Sequence, residues 1–209
     1  MLGGALLIAT LTMGWFVLRR VGRGRPCPVW LSGLLDNPVT DMLSGTDILV
    51  ERAGVLQGMR VLDAGCGPGR LTIPLARRVG ASGAVVALDV QEGMLARLRL
   101  RAAEQGLSNI RTIHAGLGAG ADVEVLRTAN FDRVLLVTVL GEIPDREIAM
   151  RALYSALKPG GLLSVTELII DPDYQSRRQV RALGQRVGFD LDRSYGNRLA
   201  FTQNFRRPV

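Results

Sequence analysis

The chain has 209 residues, 47% of them hydrophobic, enough for one domain with a buried core and an appendage, which excludes a globally disordered protein. Its formal charge of +7 suits an anionic partner, but charge alone does not separate nucleic acid from a membrane surface or an anionic small molecule. The only cysteines, Cys27 and Cys66, lack any CxxC or Cys/His spacing, which argues against a disulfide framework or a zinc site, and no metal is expected.

Residues 2–18 carry no charge, and the apolar run through Trp15, Phe16, Val17 and Leu18 is immediately followed by Arg19 and Arg20. Seventeen helical residues reach about 26 Å, just short of a roughly 30 Å hydrocarbon core. A cleaved signal peptide would carry its positive charge before the apolar run, whereas here the charge follows it. Residues 1–20 therefore read as an uncleaved single-pass membrane anchor, and Arg19, Arg20, Arg23 and Arg25 keep the following domain on the cytoplasmic face. The competing reading is a helix lying in the interface or packed on the protein, since Gly3, Gly4, Thr10, Thr12 and Gly14 dilute the hydrophobicity. Residues 21–28, with Gly22, Gly24, Pro26 and Pro28, read as a juxtamembrane linker, and 29–209 as the domain proper.

Apolar positions at helical spacing over 29–56, interrupted by Asn37-Pro38, predict two short helices. Strand-like runs then follow at 60–64, 84–89, 110–115, 131–137 and 161–169, alternating with helical stretches at 71–79, 91–105, 121–128 and 145–157. This alternation predicts right-handed crossovers and a doubly wound, mostly parallel α/β sheet, Rossmann-like in class. The tail, 188–208, holds two more strand-like pieces around Asn197, predicting an antiparallel hairpin at the sheet edge and seven strands in all.

The most informative stretch is Val61-Leu62-Asp63-Ala64-Gly65-Cys66-Gly67-Pro68-Gly69-Arg70, where a strand ends in a carboxylate and turns through glycines into a helix. Such a loop lets the backbone approach a ligand at the carboxyl edge of an open sheet. A dinucleotide fingerprint would place its third glycine at position 70, where Arg70 stands, which argues against a nicotinamide or flavin enzyme. Asp89 closes the next strand and is placed to accept a pair of ribose hydroxyls, with Val90 beside it.

The Asp63-to-Gly69 segment resembles motif I of the class I S-adenosylmethionine-dependent methyltransferases. Phe131-Asp132 and Leu157-Lys158-Pro159-Gly160-Gly161 match the same family in order and spacing. The resemblance implies S-adenosylmethionine as cofactor, with Asp63 holding its ammonium and Gly65, Cys66, Gly67 and Gly69 wrapping its amino acid part. It also implies cofactor contacts at Val137 and Thr138. Where the family often has Gly-Asp against adenine, this chain reads Ala115-Gly116-Leu117, so Gly116 and Leu117 stand in a departure from the pattern. Within the family the likeness is greatest to the quinone C-methyltransferase and phospholipid N-methyltransferase group, which implies a lipophilic acceptor.

Methyl transfer is an in-line displacement that needs alignment and dryness, and a base only if the acceptor must lose a proton. Glu142, after the fourth strand, is the first candidate for orienting or deprotonating the acceptor, against a solvated helix-start carboxylate. His114 and Tyr174 are the reserve candidates, although His114 is better explained as a surface or pocket-wall residue than as a catalytic one. Glu167, inside the fifth strand, reads as a buried structural carboxyl. Asp171-Pro172-Asp173-Tyr174 is similar to an amino-methyltransferase motif, but follows the wrong strand and lacks its second proline, so it reads as a loop near the acceptor pocket. Arg177, Arg178 and Arg181 fall on a helix, either as a solvated face or against lipid phosphate. The alternatives are a nucleic acid or protein methyltransferase, supported by charge alone, and a tethered cofactor-binding regulator without turnover. No nucleic acid partner is expected, because no added recognition domain is present.

Overall fold

The computed structural model describes residues 45–117, Leu126 and 130–209. The expected anchor, its arginines, the linker and most of the expected helical pair in 29–56 lie outside these residues, as does nearly all of the helix expected over 121–128. Among the described residues no helix is long and apolar enough to cross a membrane.

The described chain runs α1 (Thr46–Arg52), β1 (Arg60–Ala64), α2 (Thr72–Val79), β2 (Ala84–Asp89), α3 (Glu92–Glu104), β3 (Ile110–His114) and β4 (Phe131–Val137). A 3-10 turn (Leu140–Glu142) leads to α4 (Arg146–Ala156), β5 (Leu157–Leu168), α5 (Arg177–Val187), β6 (Asp190–Gly196) and β7 (Ala200–Arg206). The seven strands form one sheet in the order β3-β2-β1-β4-β5-β7-β6. The first five are parallel; β7 runs antiparallel between β5 and β6.

Burial explains why the strands read as they do. Central strands β1 and β2 are apolar on both faces and almost wholly buried, whereas edge strands β3 and β6 alternate or lie largely exposed. One face packs against α1, α2 and α3 through Leu49, Leu75, Val79, Leu95 and Leu98. The other face carries the larger core, in which Met150, Leu153, Val180 and Val187 of α4 and α5 meet Val134, Leu136, Leu163, Phe201 and Phe205.

Helix ends follow local chemistry. The Asp145 side chain caps α4 by accepting from Ile148 N at 3.0 Å. Ser176 and Gln179 form a capping box at the start of α5, which ends on the left-handed Gly188. The β6–β7 hairpin turns at Asn197, whose Oδ1 accepts from Leu199 N and Ala200 N at 2.8 and 3.2 Å.

Strand order reverses between β1 and β4, because the chain moves outward to β3 and then returns beside β1. The crevice at the carboxyl ends of these two strands is where an open α/β sheet offers a ligand site.

Candidate active site

The loop after β1 is shaped by its glycines. Gly65 and Cys66 both donate backbone N–H groups to Leu88 O, at 2.8 and 3.0 Å, which fastens the loop to β2. Gly65 has φ of +76°, and a Cβ there would stand 2.4 Å from Val139 Cγ2, so the loops after β1 and β4 touch only because no side chain intervenes. At Gly67, φ is +52° and a Cβ would meet nothing within 4 Å. The loop therefore closes tightly at Gly65 and opens at Gly67, a cradle of the kind that admits a ligand against backbone.

Two carboxylates flank this cradle. Asp63, 3% exposed, accepts a hydrogen bond from Thr72 Oγ1 at 2.6 Å. Burial pushes its carboxyl up to about 6, with the nearby Asp89 charge adding to the rise and the Thr72 hydrogen bond and Arg70 opposing it. Asp89 accepts from Gly67 N at 2.8 Å and from Gln91 N at 2.9 Å, and burial raises its carboxyl above the ordinary value against these hydrogen bonds. Two mutually repelling buried carboxylates beside a cradle suit a ligand bearing both an ammonium and hydroxyl donors, as S-adenosylmethionine does.

The other residues proposed for the cofactor fall around this centre. Cys66 turns its thiol toward Gly67 O and packs beside Ile73, Leu95 and Leu98, where burial pushes its pKa up and leaves it unreactive. Gly69 is held against Leu98, to whose Cδ1 a Cβ would come within 2.4 Å. Val90 is exposed at the tip of β2, next to Gly116, while Leu117 is buried in the larger core. Val137 ends β4, and Thr138 follows with φ of +53°, a left-handed conformation that is costly for a β-branched residue. Its N–H donates to Thr166 O at 2.9 Å and its Oγ1 to Val137 O at 2.8 Å, which holds the chain as it leaves the strand.

The residues expected to face an acceptor lie beyond β4. A Cβ on Gly141 would stand 1.8 Å from Asp173 O, so the turn carrying Glu142 is seated directly on the loop carrying Tyr174. Arg146 ties the turn from below, donating to Leu140 O and Gly141 O at 3.1 and 3.0 Å. Tyr174 packs edge-on to Phe201 at 6.1 Å. Beneath them Glu167, 1% exposed, accepts from Gln175 N at 3.1 Å through one oxygen, while Oε1 has no hydrogen-bond partner. Burial pushes Glu167 up to about 8; Asp171 and Asp173 raise it, while the Gln175 hydrogen bond and Arg146 lower it.

The turn carrying Glu142 and the loop carrying Tyr174 are thus brought together, and His114 is not beside them. His114 sits on β3, three strand positions from β4, roughly 14 Å away at ordinary strand spacing. Its Nε2 lies 2.9 Å from Val90 O on an exposed surface, which suits a wall of the cofactor side better than the acceptor chemistry. Gly141 and Arg146 belong to no motif that marks them in the sequence. A glycine between Leu140 and Glu142 was the visible sign that another segment approaches there.

Residues 61–161 match the family model described as a methyltransferase domain. With the sheet order and the carboxylate-flanked loop, this defines a class I methyltransferase domain, and its cofactor is S-adenosylmethionine. Among curated proteins, the ubiquinone/menaquinone biosynthesis C-methyltransferase UbiE of Idiomarina loihiensis is 35% identical over 121 residues, covering 56% of this chain and 46% of that protein. UbiE of Marinomonas sp. is 31% identical over 152 residues, covering 68% and 59%. This chain spans about half the length of these relatives. A crystal structure of a SAM dependent methyltransferase from Aquifex aeolicus superposes with a TM-score of 0.77 at 20% identity, covering 87% of this chain and 99% of that one, a likeness of fold.

Proposed function

We propose that this protein transfers a methyl group from S-adenosylmethionine to a lipophilic, membrane-resident small molecule, of which a quinone precursor is the leading candidate. The observation that carries the reading is the cradle between Asp63 and Asp89, tight at Gly65 and open at Gly67, next to an acceptor wall built from Glu142 and Tyr174. The quinone class is supported by the names of the curated relatives, and the lipophilic character by the apolar N-terminal stretch.

S-adenosylmethionine supplies an electrophilic methyl on a sulfonium. Asp63 offers its buried carboxylate to the ammonium, and Asp89 offers lone pairs not used by Gly67 and Gln91 to the ribose hydroxyls. Val139, packed against Gly65, excludes water from the crevice between β1 and β4. If the acceptor is a phenolic ring methylated at carbon, a C–C bond forms, the C–S bond breaks and a ring proton leaves. Glu142 orients that acceptor and takes its proton. Residues 2–18 tether the chain, with the domain on the cytoplasmic face, so that the acceptor is sampled within the membrane.

The test incubates detergent-solubilised protein with methyl-labelled cofactor and a membrane extract, and identifies the labelled product by mass spectrometry. A labelled quinone-type lipid is the expected product. Label confined to nucleic acid or protein would overturn the acceptor class, and NAD binding without S-adenosylmethionine binding would overturn the cofactor.

A further inference from the structure

The sheet edge farthest from β3 carries a surface that the methyl-transfer chemistry does not use. Ile169 and Ile170, just after β5, and Leu199, in the β6–β7 turn, are 45%, 54% and 55% exposed. Ile169 N donates to Leu199 O at 2.8 Å, so the three form one apolar tip. It stands at the carboxyl end of β5, the same edge as the acceptor wall.

A cationic groove adjoins this tip, between α5 and the hairpin, and its walls include Arg177, Arg178, Arg181, Ser194 and Gln203, with no carboxylate among the lining residues. Arg177 is committed: its guanidinium donates to Tyr195 O and Asn197 O at 3.0 and 3.1 Å, which joins α5 to the hairpin turn. Arg186, farther along α5, pairs with Glu147. Arg178 and Arg181 are exposed and make neither an ion pair nor a hydrogen bond among the described residues. Arg198, beside Leu199, is equally exposed and unpaired among them. Asp171 and Asp173 are half-buried within their loop, Asp171 Oδ1 accepting from Asp173 N at 2.9 Å, and of the acids flanking the lining Leu191 on β6, Asp192 is paired with Arg206 while Asp190 stands at the far end of the strand from the tip. Gln203, 3% exposed, leaves its Oε1 without a partner at the groove floor.

We propose that this tip and groove dock the domain on an anionic lipid bilayer, Ile169, Ile170 and Leu199 entering the interface while Arg178, Arg181 and Arg198 meet lipid phosphates. Charge complementarity selects this occupant. Unpaired guanidiniums favour phosphate, and half-exposed branched side chains beside them favour the acyl boundary, a pairing that a soluble anion would leave half used. The surface is distinct from the N-terminal stretch. It would turn the acceptor edge of the sheet toward the membrane.

The test uses the full chain with Cys27→Ser, labelled at Leu199→Cys with an environment-sensitive fluorophore, on vesicles of phosphatidylcholine with and without phosphatidylglycerol. An identical label at Ser82→Cys, in the turn before β2, is the control; the N-terminal stretch is present in both labelled proteins, so whatever it contributes is common to the two positions. Expected is quenching by spin-labelled lipid at position 199 and not at 82, dependent on phosphatidylglycerol. Arg178→Gln with Arg181→Gln should weaken the phosphatidylglycerol dependence roughly 25-fold, each arginine near an anionic surface being worth about fivefold. Equal solvent exposure of both labels on anionic vesicles would overturn the proposal. So would a position-199 response to inorganic pyrophosphate or an oligonucleotide in the absence of any response to vesicles. Unchanged S-adenosylhomocysteine affinity in the double variant confirms that it is folded.

Discussion

The Gly67 amide donates to Asp89 Oδ2 at 2.8 Å, so the open point of the cofactor loop is held by the carboxylate proposed to grip the ribose. Asp89 therefore has two duties, shaping the loop and meeting the ligand. Asp89→Ala should lower S-adenosylmethionine affinity by about 2 to 3 kcal/mol if two charge-assisted bonds are lost. Calorimetry gives the value directly, and an unchanged affinity would mean that the ribose is held elsewhere.

The glycines of the loop should divide by what a methyl group meets. Gly67→Ala places its Cβ in open space at φ of +52°, so the fold should survive with a cost of about 1 kcal/mol while cofactor binding is lost. Gly65→Ala drives its Cβ into Val139 and should destabilise the domain by more than that. Thermal unfolding beside binding titrations separates the two, and a Gly67→Ala protein that binds normally would remove the cradle.

Glu167 should make stability fall as pH rises. Its ordinary value of 4.5 is raised to about 8 in the folded chain, so the folded state holds a proton that the unfolded state has lost throughout that window. The penalty is absent below pH 4.5, grows through the window and levels off above about 8. Glu167→Gln should flatten this slope in denaturant unfolding series run from pH 5 to 8.5. A variant with the wild-type slope would assign the dependence to other groups.

Glu142→Gln should keep cofactor affinity and lower turnover. General-base assistance is typically worth about 10² to 10⁴ in rate, so a loss in that range identifies proton removal, and a loss below about tenfold identifies positioning. The wild-type pH profile should carry a limb that the variant lacks. Wild-type rates at every pH would turn attention to Tyr174.

The parallel half of the sheet was legible because its strands are buried on both faces and end at glycine or polar breaks; β1, β2 and β4 coincide with their apolar runs. The expected start of β5 at position 161 falls four residues late, since Lys158-Pro159-Gly160 extends the strand past the bulge facing Phe131 and Arg133 without an apolar pattern. The cofactor loop was legible because backbone geometry demands glycine at fixed positions. The proposed acceptor wall was legible only in part: Glu142 and Tyr174 are separated by α4 and β5, and what seats their two loops together is the missing side chain of Gly141 against Asp173 O. Contacts that depend on absent atoms leave only a faint trace in a sequence.

Of the seven strands, β7 is synthesised last, yet it lies between β5 and β6. A ribosome must therefore release residues 200–206 before β5 can gain its second neighbour or β6 its only one. Phe201, which supports Tyr174, arrives with that strand. The nascent chain can assemble its cofactor crevice from β1, β2 and β4 while β5 still presents an open edge. The strands bordering the cofactor crevice thus emerge before the strand that backs the proposed acceptor wall, and premature termination before residue 200 leaves β5 with an open edge ready to pair with the wrong strand.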